Sequence, residues 1–235
     1  MGVATVDLTT GLVTTVSTGT TILTYTVSGC SGNVSVTKTI TVTNCSTIVN
    51  LKLFLQGYYI GPQEMQPVLL NQGIGSSTSK TDNITVELHD ATTPFATVAT
   101  TTGTLNTDGT VSLTFTPITG SYYIAVKHRN SLQTWSINPV TVGQTPVLYD
   151  FSMAANKAYG NNMIQIGAVW AIYTGDLNQD EFIDGFDYPA FDNDNLSGVT
   201  GVYSTTDMNG DGFVDANDFP VLDINSYNGV TAIHP

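Results

Sequence analysis

Two stretches near the C-terminus, "GDLNQDEFIDGFD" and "TDMNGDGFVDAND", lie thirty-one residues apart and constrain this chain more than any other feature. At that offset Asp176 pairs with Asp207, Asn178 with Asn209, Asp180 with Asp211, Phe182 with Phe213, Asp184 with Asp215 and Asp187 with Asp218. The match runs on through Pro189 and Pro220, Asp192 and Asp223, and the Gly-Val-Thr runs at 198–200 and 229–231. Eleven identities at one offset mark an internal duplication. Two copies are too few for a solenoid, but enough for a symmetric pair of loop–helix units. Carboxylates at such close quarters repel one another, so a fold that gathers them is expected to hold a cation.

Counted from its first Asp, each copy has oxygen-bearing side chains at positions 1, 3, 5, 9 and 12 and an apolar residue at 8. A twelve-residue loop delivers oxygens to Ca²⁺ in this order, with a backbone carbonyl from position 7. The first ligand set is Asp176, Asn178, Asp180, the Phe182 carbonyl, Asp184 and Asp187. The second is Asp207, Asn209, Asp211, the Phe213 carbonyl, Asp215 and Asp218. Mg²⁺ takes fewer protein ligands in stricter octahedral geometry and fits less well. Position 6, where the loop turns sharply, is Gly212 in the second copy and Glu181 in the first. A side chain at a left-handed position costs on the order of 1 kcal/mol, so the second loop is expected to bind more tightly. The apolar Ile183 and Val214 at position 8 are expected to pair the two loops through a short β-bridge.

Asp rather than Glu at position 12, with so short a repeat, resembles dockerin domains rather than helix–loop–helix EF-hands. The resemblance covers 174–235. It implies two calcium loops with EF-hand-type ligands, each followed by one helix, with Pro189 and Pro220 in the first turns. Ala190, Phe191, Val221, Leu222 and Ile224 would form the small core. A segment this acidic and this poor in apolar residues is not expected to fold without metal. Dockerins bind cohesin modules, often through Ser-Thr at loop positions 10 and 11. Here those positions are Gly185-Phe186 and Ala216-Asn217, a departure that separates the calcium resemblance from the partner resemblance.

The remainder reads as short strands. In 1–45, "TTILTYTVS" and "VSVTKTITVT" flank a Gly/Ser/Asn turn and predict a hairpin. Its Val34, Val36, Ile40, Val42 face is interrupted by Lys38, a device of edge strands. The run "VATVDLTTGLVTTVSTGTTILTYTV" resembles the closing strands of a bacterial Ig-like domain, which implies a partial unit cut from a longer protein. Cys30 and Cys45 sit at opposite ends of a strand of about 33 Å, too far apart for the roughly 6 Å Cα separation of a disulfide.

Residues 46–173 predict an antiparallel β-sandwich. Leu51, Leu53 and Leu55 share one face; Ile84, Val86 and Leu88 point inward with His89 outward. Val111, Leu113 and Phe115 follow, and then Tyr122, Ile124, Val126 and His128. The wording of this segment resembles a β-domain found before dockerin-like tails in large secreted proteins of gliding gram-negative bacteria. Many of these use type IX secretion, so the resemblance implies a secreted or cell-surface location. The expected fold class is therefore mainly β, with Ig-like and β-sandwich domains and a small two-helix dockerin-like domain at the end.

Twelve of the nineteen acidic residues lie between Asp176 and Asp223, and no Lys or Arg follows Lys157. That tail repels nucleic acid and anionic membrane surfaces. No apolar run reaches the eighteen residues of a membrane span, and the opening "MGVATVDLTT" lacks the regions of a signal peptide. G-x-S-x-G, H-E-x-x-H and phosphate-loop motifs are absent, and His89, His128 and His234 are scattered, so no enzyme is expected. The sequence instead suggests a calcium-stabilised module for structure, adhesion or protein–protein contact. Its partner would be another protein, or the sandwich itself: Lys127 and Arg129 share a strand face that could meet the acidic tail. The alternative is a polysaccharide-binding module using Tyr58, Tyr59, Tyr122, Tyr123, Trp135 or Trp170 for sugar stacking.

Overall fold

The computed structural model describes residues 2–43 and 46–235. The chain divides into two compact units, Met1–Cys45 and Ser46–Pro235. Cys45 lies outside the described residues, and with it the reading of the Cys30–Cys45 pair; Cys30 is exposed.

The first unit consists of two hairpins. Strand β1 (Ala4–Val6) pairs with β2 (Val13–Thr15), and β3 (Gly19–Gly29) pairs with β4 (Gly32–Val42). Leu23 stands opposite Lys38, Tyr25 opposite Val36 and Val27 opposite Val34, so these apolar residues share one face, while Thr24, Thr26, Ser35 and Thr37 lie on the other. Tyr25, Val27, Val34 and Val36 are all exposed.

The second unit begins with the expected sandwich. One sheet runs β10 (Ser131–Trp135), β9 (Gly120–His128), β6 (Lys80–Asp90) and β7 (Thr97–Asn106), with β11 (Val140–Val142) also pairing β9. The facing sheet is β12 (Val147–Asp150), β5 (Thr47–Lys52) and β8 (Thr110–Phe115). β13 (Ile164–Ile166) and β14 (Val169–Ala171) form a separate hairpin. The expectation of a wholly antiparallel sandwich needs correcting, because β12 runs parallel to β5. Strand-to-strand alternation fixes which side chains point inward but not the direction from which a strand enters the sheet. The inward set is as read: Leu51, Leu53, Leu55, Ile84, Val86, Leu88, Val111, Leu113, Phe115, Ile124 and Val126 are buried in one core.

A one-turn helix, α1 (Val68–Asn71), leads into β6. Two longer helices close the chain, α2 (Tyr188–Ser197) and α3 (Phe219–Tyr227), each with its proline in the first turn. They enclose a second core made of repeat-equivalent pairs: Leu177 with Met208, Ile183 with Val214, and Phe191 with Leu222. Leu132, from β10 of the sandwich, completes it. Of the five core residues expected here, Phe191 and Leu222 are buried and Val221 packs at the edge, whereas Ala190 is exposed and Ile224 is 50% exposed. The boundary at 173/174 marks a change of secondary structure inside one compact unit.

The bridge between the two repeats differs from the loop-to-loop pairing expected. Ile183 N donates to Val230 O at 2.9 Å, and Val214 N donates to Val199 O at 2.9 Å. Each loop thus pairs with the Val-Thr that follows the other repeat's helix, through Phe182 with Thr231 and Thr200 with Phe213. This explains why Gly-Val-Thr belongs to the duplicated unit. Gly198 and Gly229 turn the chain at the helix ends with φ of 61° and 62°, and the next two residues form the bridge.

Candidate metal centre

Both loops are folded on one plan. In the first, Asp187 Oδ1 accepts from Leu177 N at 2.7 Å and Asn178 N at 3.2 Å, and its Oδ2 accepts from Asp184 N at 2.9 Å. In the second, Asp218 Oδ1 accepts from Met208 N at 2.6 Å and Asn209 N at 2.9 Å, and its Oδ2 accepts from Asp215 N at 3.0 Å. The position-12 carboxylate therefore ties the start of each loop to its end. At position 3, Asn178 donates to Asp180 at 2.8 Å and Asn209 to Asp211 at 3.0 Å. The amides of Phe182 and Phe213 close onto Asp180 and Asp211, each at 3.0 Å. Those of Phe186 and Asn217 close onto Asp184 and Asp215.

The end carboxylates of each loop, Asp176 with Asp187 and Asp207 with Asp218, are buried. Burial, then the charge of Asp187, pushes the Asp176 carboxyl up to about 7. Burial, with the charge of Asp207 adding to it, pushes Asp218 up to about 6. Asp187 and Asp207 are also raised, chiefly by burial. Among the described residues, the only loop side chain in an ion pair is Glu181, 3.4 Å from His234. No three His, Cys, Asp or Glu side chains among the described residues converge as a ready-made ion cage, because the carboxylate oxygens are turned onto loop amides. The donor set nevertheless fits a hard cation: all-oxygen ligands, buried acids and no basic side chain to neutralise them.

Positions 4 and 6 of both loops adopt positive φ. They are Gly210 and Gly212 in the second loop, at 74° and 94°, and Gln179 and Glu181 in the first, at 59° and 73°. The sequence reading identified the strain at position 6 but not its companion at position 4.

The surroundings of the two loops differ more than their candidate ligands do. The first is open, with Asn178, Gln179 and Asp180 exposed. The second is seated in the sandwich. A Cβ on Gly210 would collide with Val68 and Tyr58, one on Gly212 with the Asn71 carbonyl, and one on Gly57 with the Met208 carbonyl. Asn71 Nδ2 donates to Gly210 O at 2.8 Å, and Gln72 Nε2 donates to Asp207 Oδ2 at 2.6 Å.

Behind Gln72 lies a buried polar network. Arg129 donates from Nη2 to Gln72 Oε1 at 3.0 Å and to Tyr58 Oη at 2.7 Å, from Nε to Asp82 Oδ2 at 2.9 Å, and from Nη1 to the Ser204 carbonyl. Tyr203 Oη donates to Asp82 Oδ1 at 2.5 Å, and its ring lies 4.2 Å from the Arg129 guanidinium carbon. Burial opposes ionisation of Asp82, but hydrogen bonding to His128 and the charge of Arg129 outweigh it and hold the carboxyl well below its usual range. Burial lowers the His128 pKa; its Nε2 lies 3.1 Å from Asp82 Oδ2 and its Nδ1 3.0 Å from Ser131 Oγ. Asp82 continues the inward register of Ile84, Val86 and Leu88, a signal present in the sequence. Gln72 carries no such signal.

Other expected roles resolve differently. Arg129 does meet the tail, whereas Lys127 pairs with Glu87 at 3.1 Å within the sandwich. His89, read as outward, is only 7% exposed: Trp135 packs against its ring at 4.1 Å, and Nδ1 lies 2.8 Å from the Phe95 carbonyl. Of the aromatics weighed for sugar stacking, Tyr58 is fully buried and Trp135 is 5% exposed. Tyr59, Tyr122 and Trp170 pack against the sandwich core, and Tyr123 lies edge-on to Phe95. No helix among the described residues is long and apolar enough to cross a membrane.

No family model and no curated protein matches this chain. Among solved structures, it is similar to a C-terminal interface mutant of a type II cohesin–X-dockerin complex from Acetivibrio cellulolyticus. That likeness has 14% identity and a TM-score of 0.47, and covers 79% of this chain and 97% of the other. An N-terminal interface mutant of the same type of complex gives 14% identity and a TM-score of 0.40, covering 77% and 93%. Similarity at this level assigns neither partner nor activity.

Proposed function

We propose that 174–235 is a dockerin-like module that binds two Ca²⁺ ions, and that the chain is a non-catalytic part of a secreted or cell-surface bacterial protein. The module would complete and rigidify the end of that protein and support adhesion or protein–protein contact. The observation that carries this reading is the shared plan of the two loops. The same carboxylate closes each loop, the same buried acids are left without a basic partner, and the same Val-Thr bridge joins the repeats. In this reading Asp176, Asn178, Asp180, the Phe182 carbonyl, Asp184 and Asp187 hold one ion. Asp207, Asn209, Asp211, the Phe213 carbonyl, Asp215 and Asp218 hold the other. Bound calcium supplies the positive charge that the loops lack. The exposed Phe186, Leu196 and Tyr227 give the module apolar surface for a protein partner.

Calcium titration calorimetry on the full chain, with thermal melts in calcium and in chelator, tests the metal. Two sites and a melt that falls on chelation are expected; no binding and an unchanged melt would remove the reading. Capture by any of a diverse cohesin panel would assign the partner class, and uniform failure would direct the search to other proteins.

A further inference from the structure

Building on the calcium reading, we infer that Gln72 is a positioning residue for the second metal loop, so that this site belongs jointly to the sandwich and the tail. Gln72 is fully buried just beyond α1. Its amide is used at both ends: Nε2 donates to Asp207 Oδ2 at 2.6 Å, and Oε1 accepts from Arg129 at 3.0 Å. Arg129 is held in turn by Asp82, which has no exposed surface, and by Tyr58. The Arg129 contact leaves only the NH₂ end of Gln72 to face Asp207, so the amide cannot flip without breaking two hydrogen bonds. Asp207 also accepts from Gly210 N and Gly212 N of its own loop, at 2.8 and 2.9 Å. With the Gln72 contact the carboxylate is fixed from both sides.

The equivalent Asp176 has no such support among the described residues. Its Oδ1 accepts from Asp180 N at 3.2 Å, a group of its own loop. Partners that orient a ligand from behind commonly change metal affinity by about 10–100-fold. The two loops share a ligand plan, so this outer contact separates them independently of the glycines.

The test measures each loop alone in the full chain. Asp176→Asn disables the first loop and Asp207→Asn the second, and Gln72→Met is added to each. Calorimetry should show calcium affinity falling about 10–100-fold where only the second loop is intact. It should change less than about twofold where only the first is intact, with near-ultraviolet circular dichroism reporting that the sandwich remains folded. Gln72→Asn, one methylene shorter, keeps an amide in the polar pocket but withdraws it from Asp207, and should give the same selective loss if the Met variant does not fold. Equal losses at both loops would reduce Gln72 to a structural residue, and no loss at the second would overturn the inference outright. Absence of calcium binding in the unmodified chain would instead bring down the calcium reading, and this inference with it.

Discussion

The two loops carry one side-chain plan in two settings. Loop one is open at Asn178, Gln179 and Asp180, with Gln179 and Glu181 at positive φ; loop two has glycine at both positions and lies against α1, Gly57 and Gln72. The same twelve-residue device turns an open edge to solvent in one case and is built into a neighbour in the other. Glycine in loop two answers two demands at once. Gly210 and Gly212 relieve the left-handed backbone, and they also let the sandwich approach closer than any side chain would allow.

The largest difference between the two loops is expected on substitution of Arg129. Arg129→Met leaves the buried Asp82 carboxylate without its cation, and loss of one partner of a buried pair costs about 3–5 kcal/mol. Urea denaturation should register that loss. Hydrogen exchange should accelerate around 203–212 more than around 176–187, because the anchor to Ser204 and Gln72 serves only the second loop. Equal acceleration of both loops would mean that the tail is not seated as described.

Next in size is the contrast between Asp207→Ala and Asp176→Ala. On the proposed calcium reading, at free calcium a hundredfold above the second loop's Kd, losing that site should remove about 2.7 kcal/mol of ligand-linked stability. Asp176→Ala, acting on the loop expected to bind more weakly, should lower the melt less at the same calcium. The reverse order would show that exposure matters less than the shared ligand plan.

The acid side of stability sharpens the role of Asp82. Its folded-state pKa is depressed, so its contribution is complete above the unfolded value, about 3.9, and is lost as pH falls through the folded one. Each unit of depression corresponds to about 1.4 kcal/mol. Asp82→Asn should therefore be less stable than the parent at neutral pH, yet lose less further stability between about pH 4 and pH 2. Parallel curves would deny the carboxylate this role.

The smallest expected effect is a gain. Glu181→Gly removes strain at φ 73° and should raise first-loop stability by up to about 1 kcal/mol, or roughly fivefold in calcium affinity. The exposed pair with His234, worth about 0–1 kcal/mol, subtracts from that gain. Thermal melting and calorimetry on an Asp207→Asn background would resolve it.

Much of this molecule was legible in one dimension. Period-two alternation set the inward faces of β5, β6, β8 and β9, because a strand's side chains must alternate whatever it pairs with. The thirty-one-residue offset set two loops and two helices, and the prolines marked where α2 and α3 begin. These are local consequences of backbone geometry, so the sequence determined them by itself. It did not determine that β12 joins β5 in parallel, that His89 is covered by Trp135, or that each loop bridges to the other repeat's Val-Thr. Nor could it place Gln72 against Asp207, which lies 135 residues away. Such contacts depend on which distant surfaces meet once the core has formed, and a buried amide has no period or spacing to announce its partner. Only the tertiary structure decided that one of two similar loops is seated in the sandwich, because burial and hydrogen-bond satisfaction are settled between elements rather than within them.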